Sequence, residues 1–225
     1  MDLTAVPGLP ETALAPDGLA DLPPSAPPAP WELELEAVLW GSRPVRGGAT
    51  RLPAPRLASV ARQLAGGGGF VRYLDTPVGP YAEALAGAVL LHDRRVVVHV
   101  PFMAVDSAQS VVGGRANWCL PKTLAGFDGA PGASGTVRAA TGSWEVRATA
   151  RGLGPAFPFS RRFSLVQERP DGSLCRAIGQ MSGRARPAYV TVSVSGGPHL
   201  RRWLRAGRRL GVIVESARGV LGPAY

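Results

Sequence analysis

Apolar and polar positions alternate along much of this chain. Trp31, Leu33, Leu35, Ala37 and Leu39 alternate with Glu32, Glu34 and Glu36. A repeat of two places the apolar side chains on one face of a strand and the acids on the other, solvated face. FVRYLD (70–75), YAEALAGAVLLH (81–92) and RVVVHVPF (95–102) predict further strands, the last two joined by a tight turn at Asp93-Arg94. GTVRAAT and SWEVRATARG predict a hairpin across Gly142. RRFSLVQE and SLCRAIGQMS predict another, turned by Pro170-Asp171-Gly172. PAYVTVSVSG (187–196) and RLGVIVESARGV (209–220) each predict one more strand. Helical spacing is rarer. In PAPRLASVARQLA (53–65), Leu57, Val60, Ala61 and Leu64 share a helical face, and GGGG (66–69) ends the helix. PHLRRWLRAG (198–207) predicts a short helix, and residues 104–117 are helical or turn-like. Many strands, few helices and no βαβ rhythm predict a mainly β (α+β) fold. The expected form is a large antiparallel sheet, closed on itself in the manner of a barrel, with a few short helices on it.

Composition divides the chain in two. Residues 1–30 are rich in Pro, Ala and acids and end in DLPPSAPPAP. Such a segment has too little apolar surface to order by itself, so it predicts a tail, or an arm draped on a neighbour. Residues 31–225 then form one domain. The net charge is +9, but residues 1–40 hold seven acids and no base, so the rest carries 25 bases against nine acids. A basic body opens the possibility of a polyanion or nucleic-acid partner. The arginines are scattered along strands and turns, however, without zinc-finger spacing, basic zipper or RNA-binding aromatics, so nucleic acid is not the expected partner. No run of 18 apolar residues is present and the N-terminus does not read as a signal peptide, so no membrane partner is expected. Two cysteines, Cys119 and Cys175, predict reduced thiols in a cytoplasm. His92, His99 and His199 lack ligand spacing with the cysteines or with carboxylates, so no metal site is expected. GGGG is not followed by GK[ST], which excludes a phosphate loop.

The chemistry concentrates in one stretch, GGRANWCLPKTLAGF (113–127). Lys122 is the only lysine among 25 basic residues. A coding bias toward arginine explains the scarcity without any function. It still leaves one candidate for any step that needs a side-chain amine, because a guanidinium stays protonated and is a poor nucleophile.

Three segments taken together resemble the acetoacetate decarboxylase family: PVGPYAEAL (77–85), VHVPFMAVDSAQSVVGGRANWCLPKTLAGF (98–127) and the closing strand. The shared pattern is an apolar strand ending in Pro-Phe-Met, then Gly114-Arg115, Leu120-Pro121-Lys122 and Leu124-Ala125. Gly79-Pro80-Tyr81 and Glu83 lie about 40 residues upstream of the lysine. The resemblance implies a Schiff-base lysine at Lys122, a pocket carboxylate at Glu83, no cofactor and a homo-oligomer. It also implies a small keto acid as substrate, undergoing decarboxylation or aldol and dehydration chemistry through an iminium. In the decarboxylating members a second lysine follows the nucleophile; here that position is Thr123. Desolvation by Phe102, Met103, Trp118 and Leu120 is therefore expected to lower the amine's pKa. Tyr81 and Trp118 are expected as pocket wall or core. Arg115 is expected either to meet the substrate carboxylate or to make a structural turn contact. The family's other pocket acid has no counterpart among Gly69, Val71 and Arg72, and no arginine precedes Arg43 to supply its N-terminal pocket arginine. Two other readings stay open: a non-catalytic small-molecule binder with the same fold, and a polyanion binder.

Overall fold

The structure is a computed structural model that describes residues 2–14, 19–132 and 135–225. Eleven strands form one sheet: β1 (Trp31–Ser42), β2 (Arg62–Asp75), β3 (Tyr81–His92), β4 (Arg95–Val105), β5 (Lys122–Leu124), β6 (Gly126–Gly129), β7 (Thr136–Ala140), β8 (Glu145–Gly152), β9 (Phe157–Glu168), β10 (Leu174–Ser195) and β11 (Gly207–Leu221). Three short helices join them: α1 (Pro55–Val60), α2 (Ala108–Trp118) and α3 (Pro198–Leu204). Pairing runs β11-β1-β2-β3-β4-β9-β10, and β10 pairs again with β11, so seven strands form a ring. The second half of β10 leaves the ring's β9 neighbour and continues the sheet through β8, β7 and β6.

The sheet is antiparallel except at β4, which pairs in parallel with β5 and with β9. The expected large antiparallel sheet is present, with these two parallel pairings making it mixed at β4. The β4–β5 pairing follows from α2: the chain leaves β4, crosses through the helix and returns in the same direction, as parallel pairing requires. Strand alternation then sorts the side chains. On β1, Leu33, Leu35, Ala37 and Leu39 turn inward to the ring, while Val38 and Trp40 turn to the main core. That main core also holds Phe70, Phe102, Trp144 and Trp203, with Phe102 and Trp144 meeting edge to face at 5.3 Å. Asp93 and Arg94 have φ of 48° and 59°, the left-handed pair a two-residue hairpin turn demands.

Two predicted elements come out differently. The helix expected over 53–65 ends at Val60, and GGGG lies inside β2, paired with β1 and β3. The glycines are there because Trp40 and Leu204 cover the strand closely. A Cβ on Gly68 would collide with the Leu204 side chain and the Trp40 indole, and one on Gly67 with the Trp40 carbonyl. The strand expected over 187–196 is the second half of the 22-residue β10. Pro187 does not break it because it sits between the last β9 partner, at Ala185, and the first β8 partner, at Ala188. On that side no ladder bond is lost through its missing N–H.

The described residues of the N-terminal segment borrow surface from the body. Val6, Leu9 and Thr12 are buried, the Leu9 amide donates to the Pro101 carbonyl at 2.9 Å, and the Glu11 carboxylate accepts from the Leu200 amide in the first turn of α3 at 3.2 Å.

The packing around β2 sets a stability test. Gly67→Ala forces a methyl onto a backbone carbonyl and is expected to cost about 1–3 kcal/mol. Gly41→Ala, where a Cβ meets nothing within 4 Å, stays within about 0.5 kcal/mol of the wild type. Urea unfolding of both variants checks the contrast.

Candidate active site

Lys122 is delivered by a short chain of local constraints. Ser107 caps α2 by accepting from the Ser110 amide at 3.2 Å, and Cys119 ends the helix in the left-handed region at φ 54°. The turn through Leu120 and Pro121 leads into β5, where Lys122 stands opposite Met103 of β4. Its aliphatic stem lies across Gly114 of α2. A Cβ on Gly114 would sit 2.7 Å from Lys122 Cε, so only glycine leaves room for the lysine.

The amine ends among four polar side chains. Lys122 Nζ donates to Ser110 Oγ at 2.8 Å and to the Tyr81 hydroxyl at 3.2 Å, and it lies 3.0 Å from Glu83 Oε2. Glu83 Oε1 accepts a long hydrogen bond of 3.4 Å from the Tyr73 hydroxyl, and the Tyr73 and Tyr81 rings stack at 4.4 Å. Lys122 is 3% exposed and Glu83 2%. Two buried charges at this spacing are tolerable only as a pair, because a lone ion in such a place bears most of its desolvation cost.

The Lys122 amine is pushed above its ordinary pKa of 10.5. Burial is the largest single influence and acts downward. The Glu83 carboxylate, with help from Tyr81, outweighs it. This corrects the expectation that desolvation lowers the amine: the apolar surroundings are present, but a carboxylate shares them. Burial also raises both tyrosines. Tyr73, beside Glu83, is raised well above 10, while Tyr81 is raised less because Lys122 opposes the shift. Both phenols are therefore neutral donors at ordinary pH.

A cavity of about 370 Å³ opens from this cluster into the ring. All seven ring strands contribute to its wall, which is made largely of apolar side chains such as Leu35, Val100, Leu165 and Val214. Of the residues expected from the sequence, the structure brings Lys122, Glu83, Tyr81, Met103, Trp118 and Leu120 together on this wall. Phe102 is a correction: strand alternation beside Met103 turns it into the main core against Trp144. Arg115 is another. Its Nε donates to the Lys122 carbonyl at 2.7 Å, one terminal nitrogen to the Leu3 carbonyl at 2.7 Å and the other to the Thr12 carbonyl at 2.6 Å. Of its two expected roles the structure shows the structural one. Burial lowers this guanidinium to about 10, so it remains charged at neutral pH.

Sequence reasoning missed Tyr73, Ser110, Gly114 and Arg161. Tyr73 had a signal, since β2 and β3 pair it directly with Tyr81. Ser110 and Gly114 lie one turn apart on α2, on the side that meets Lys122. Arg161, exposed at the cavity rim, is the only cation on the wall besides Lys122 among the described residues. His99 faces away from this wall. It is fully buried, donates from Nδ1 to the Val166 carbonyl at 3.1 Å and is pushed down to about 4 by desolvation.

Two measurements probe this arrangement. In Glu83→Gln the upward influence on Lys122 is lost and burial remains, so the amine's pKa is expected to fall below 10.5. The neutral fraction then grows at lower pH than in the wild type, whose inflection lies above 10.5. Competitive acetylation against pH, read by mass spectrometry at the single lysine, checks the order. In Arg115→Met three carbonyls, two of them in buried contacts, lose a charged donor, with an expected loss of about 3 kcal/mol or more in urea unfolding.

The family model described as acetoacetate decarboxylase matches residues 59–156, which carry Tyr81, Glu83, Ser110 and Lys122. No curated protein matches the chain by sequence. Among solved structures, an acetoacetate decarboxylase from Legionella pneumophila is similar at 13% identity and a TM-score of 0.56, over 89% of this chain and 88% of its own. The enduracididine biosynthesis enzyme MppR, complexed with pyruvate, is similar at 13% identity and a TM-score of 0.61, over 97% and 95%. An acetoacetate decarboxylase-like enzyme from Sphingomonas wittichii RW1 is similar at 14% identity and a TM-score of 0.57, over 88% and 93%. The matched segment resembles the acetoacetate decarboxylase family, and the solved structures share the fold of the whole chain.

Proposed function

We propose that this chain is an enzyme acting on a keto acid through an iminium at Lys122. The observation that carries the reading is the position of its sole lysine, buried in an apolar cavity with its amine 3.0 Å from a buried carboxylate. Similar structures add support at the level of fold: one is an acetoacetate decarboxylase, and another, MppR, is complexed with pyruvate.

The chemistry follows from that pair. Lys122 passes a proton to Glu83 across their contact and becomes a neutral amine. The transfer leaves the net charge of the pair at zero before and after, which limits its cost in a poorly solvated site. The amine adds to the ketone carbon, and the resulting carbinolamine takes that proton back from Glu83 as it loses water to give an iminium. The iminium is the electron sink. In a β-keto acid the bond to the carboxylate breaks, its electron pair moves into the iminium, carbon dioxide leaves and an enamine remains. Glu83 takes up one proton from water and delivers it to the enamine carbon, and water hydrolyses the new iminium to free the ketone and Lys122 as its ammonium. In an α-keto acid the same iminium loses a proton instead, which opens aldol and dehydration chemistry. Tyr81 and Ser110 hold the amine and meet the oxygen that departs as water.

Borohydride reduction in the presence of keto acids tests the reading. The expected result is a mass increment on Lys122 that is absent in Lys122→Arg and absent without keto acid. The N-terminal amine is the one other primary amine in the chain and is separated by peptide mapping. Wild-type protein that acquires no increment on Lys122 with any keto acid overturns the proposal.

A further inference from the structure

The cavity is larger than the chemistry at Lys122 requires. Its volume of about 370 Å³ lies in the range of roughly 300–1,000 Å³ that holds drug-sized ligands. At about 30 Å³ for each water-sized share, it takes about a dozen non-hydrogen atoms. Acetoacetate or pyruvate would fill only about half of it.

The distribution of polarity says what fills the remainder. The polar groups cluster in two places. Lys122, Glu83, Tyr73 and Tyr81 form one cluster, in which the lysine and glutamate are almost fully buried. Arg161 and Gln180 form the other, and both are exposed. The wall between them is contributed by Leu33, Leu35, Val100, Leu165, Met181 and Val214, with no hydroxyl, amide or charge. Phe163 and Val220, also on the wall, are 36% and 39% exposed, so the rim itself is partly apolar. Water in the middle of such a cavity lacks the two to four polar partners that would hold it.

We infer that the substrate is an oxo acid with an extended apolar tail, its carbonyl at Lys122 and its tail along the inner faces of β1, β4, β9 and β11. A medium-length 3-oxo acid such as 3-oxooctanoate matches the volume. This assignment rests on the iminium reading and names the substrate class for it. A short acid would leave apolar wall unfilled and forgo the gain from removing it from water.

The experiment is borohydride trapping with the full chain across acetoacetate, 3-oxohexanoate, 3-oxooctanoate and 3-oxodecanoate, reading the half-saturating concentration for reduction onto Lys122. Each added methylene is expected to lower that concentration about three- to fourfold up to the eight-carbon acid, after which the trend flattens. Equal or tighter trapping of acetoacetate than of 3-oxooctanoate overturns the tail assignment and leaves the iminium reading standing. Absence of trapping by every member overturns both. Leu165→Phe, confirmed as folded by its melting curve, removes volume from the wall and is expected to shrink the preference for the eight-carbon over the four-carbon acid. An unchanged ratio in that variant counts against a tail lying over β9.

Discussion

The contact between Lys122 and Glu83 is the constraint on which the site depends. An ammonium buried to this degree is tolerable beside one carboxylate and expensive without it. The pair is neutral as a whole, and that neutrality allows it to sit at the edge of an apolar cavity. The fold supplies the two partners from different places. Glu83 comes from near the start of β3, fixed by pairing on both sides with Val71 and Val105. Lys122 comes from the three-residue β5, which is anchored by only one ladder, to β4.

A strand so short needs support from outside the sheet, and Arg115 provides it. The guanidinium reaches the Lys122 carbonyl with one N–H and the carbonyls of Leu3 and Thr12 with others. One side chain thus ties the reactive strand, the end of α2 and the N-terminal segment into a single block. Gly114, its neighbour in sequence, receives the lysine stem. The Gly-Arg pair works as a unit: the glycine makes space for the side chain, and the arginine holds the backbone. An arginine occupied in this way is not available to a substrate carboxylate.

The strands were legible because alternation is a strong signal when one face looks into a cavity and the other into water or core. β1, β3, β4 and the two hairpins follow from it directly. Two features were hidden for identifiable reasons. The GGGG run breaks a helix by its local preference, but Trp40 and Leu204 close over that stretch, and tertiary packing selects a strand that only glycines can form. Pro187 reads as a strand start, yet it falls where β10 changes partners. At the site, the lysine, the glutamate and four wall residues could be named from their motif. Phe102 was misplaced because consecutive strand residues face opposite ways, and Met103 takes the cavity side. Ser110 and Arg161 were hidden because each acts through a crossover or a pairing that local spacing does not encode, whereas Tyr73 needed only the register of β2 against β3. The sign of the lysine's pKa shift was missed for a related reason. Burial is readable from apolar neighbours, but the distance to a carboxylate 39 positions away is not.

A raised pKa looks unsuited to a nucleophile, yet it fits the proposed reaction. A neighbouring cation would free the amine by discarding its proton to solvent. A neighbouring carboxylate keeps that proton in the cavity. In the proposed sequence the proton leaves the ammonium before attack and is returned when the carbinolamine loses water; after carbon dioxide departs, the enamine carbon takes one further proton through the same carboxylate. Glu83 stands next to the nitrogen through both transfers, 3.0 Å from it. The carboxylate makes the amine's first step harder and retains the proton that the departing water requires. Thr123, which stands where a second cation would otherwise follow the lysine, is consistent with that arrangement, because an added ammonium would compete for Glu83 and disturb the neutrality of the pair.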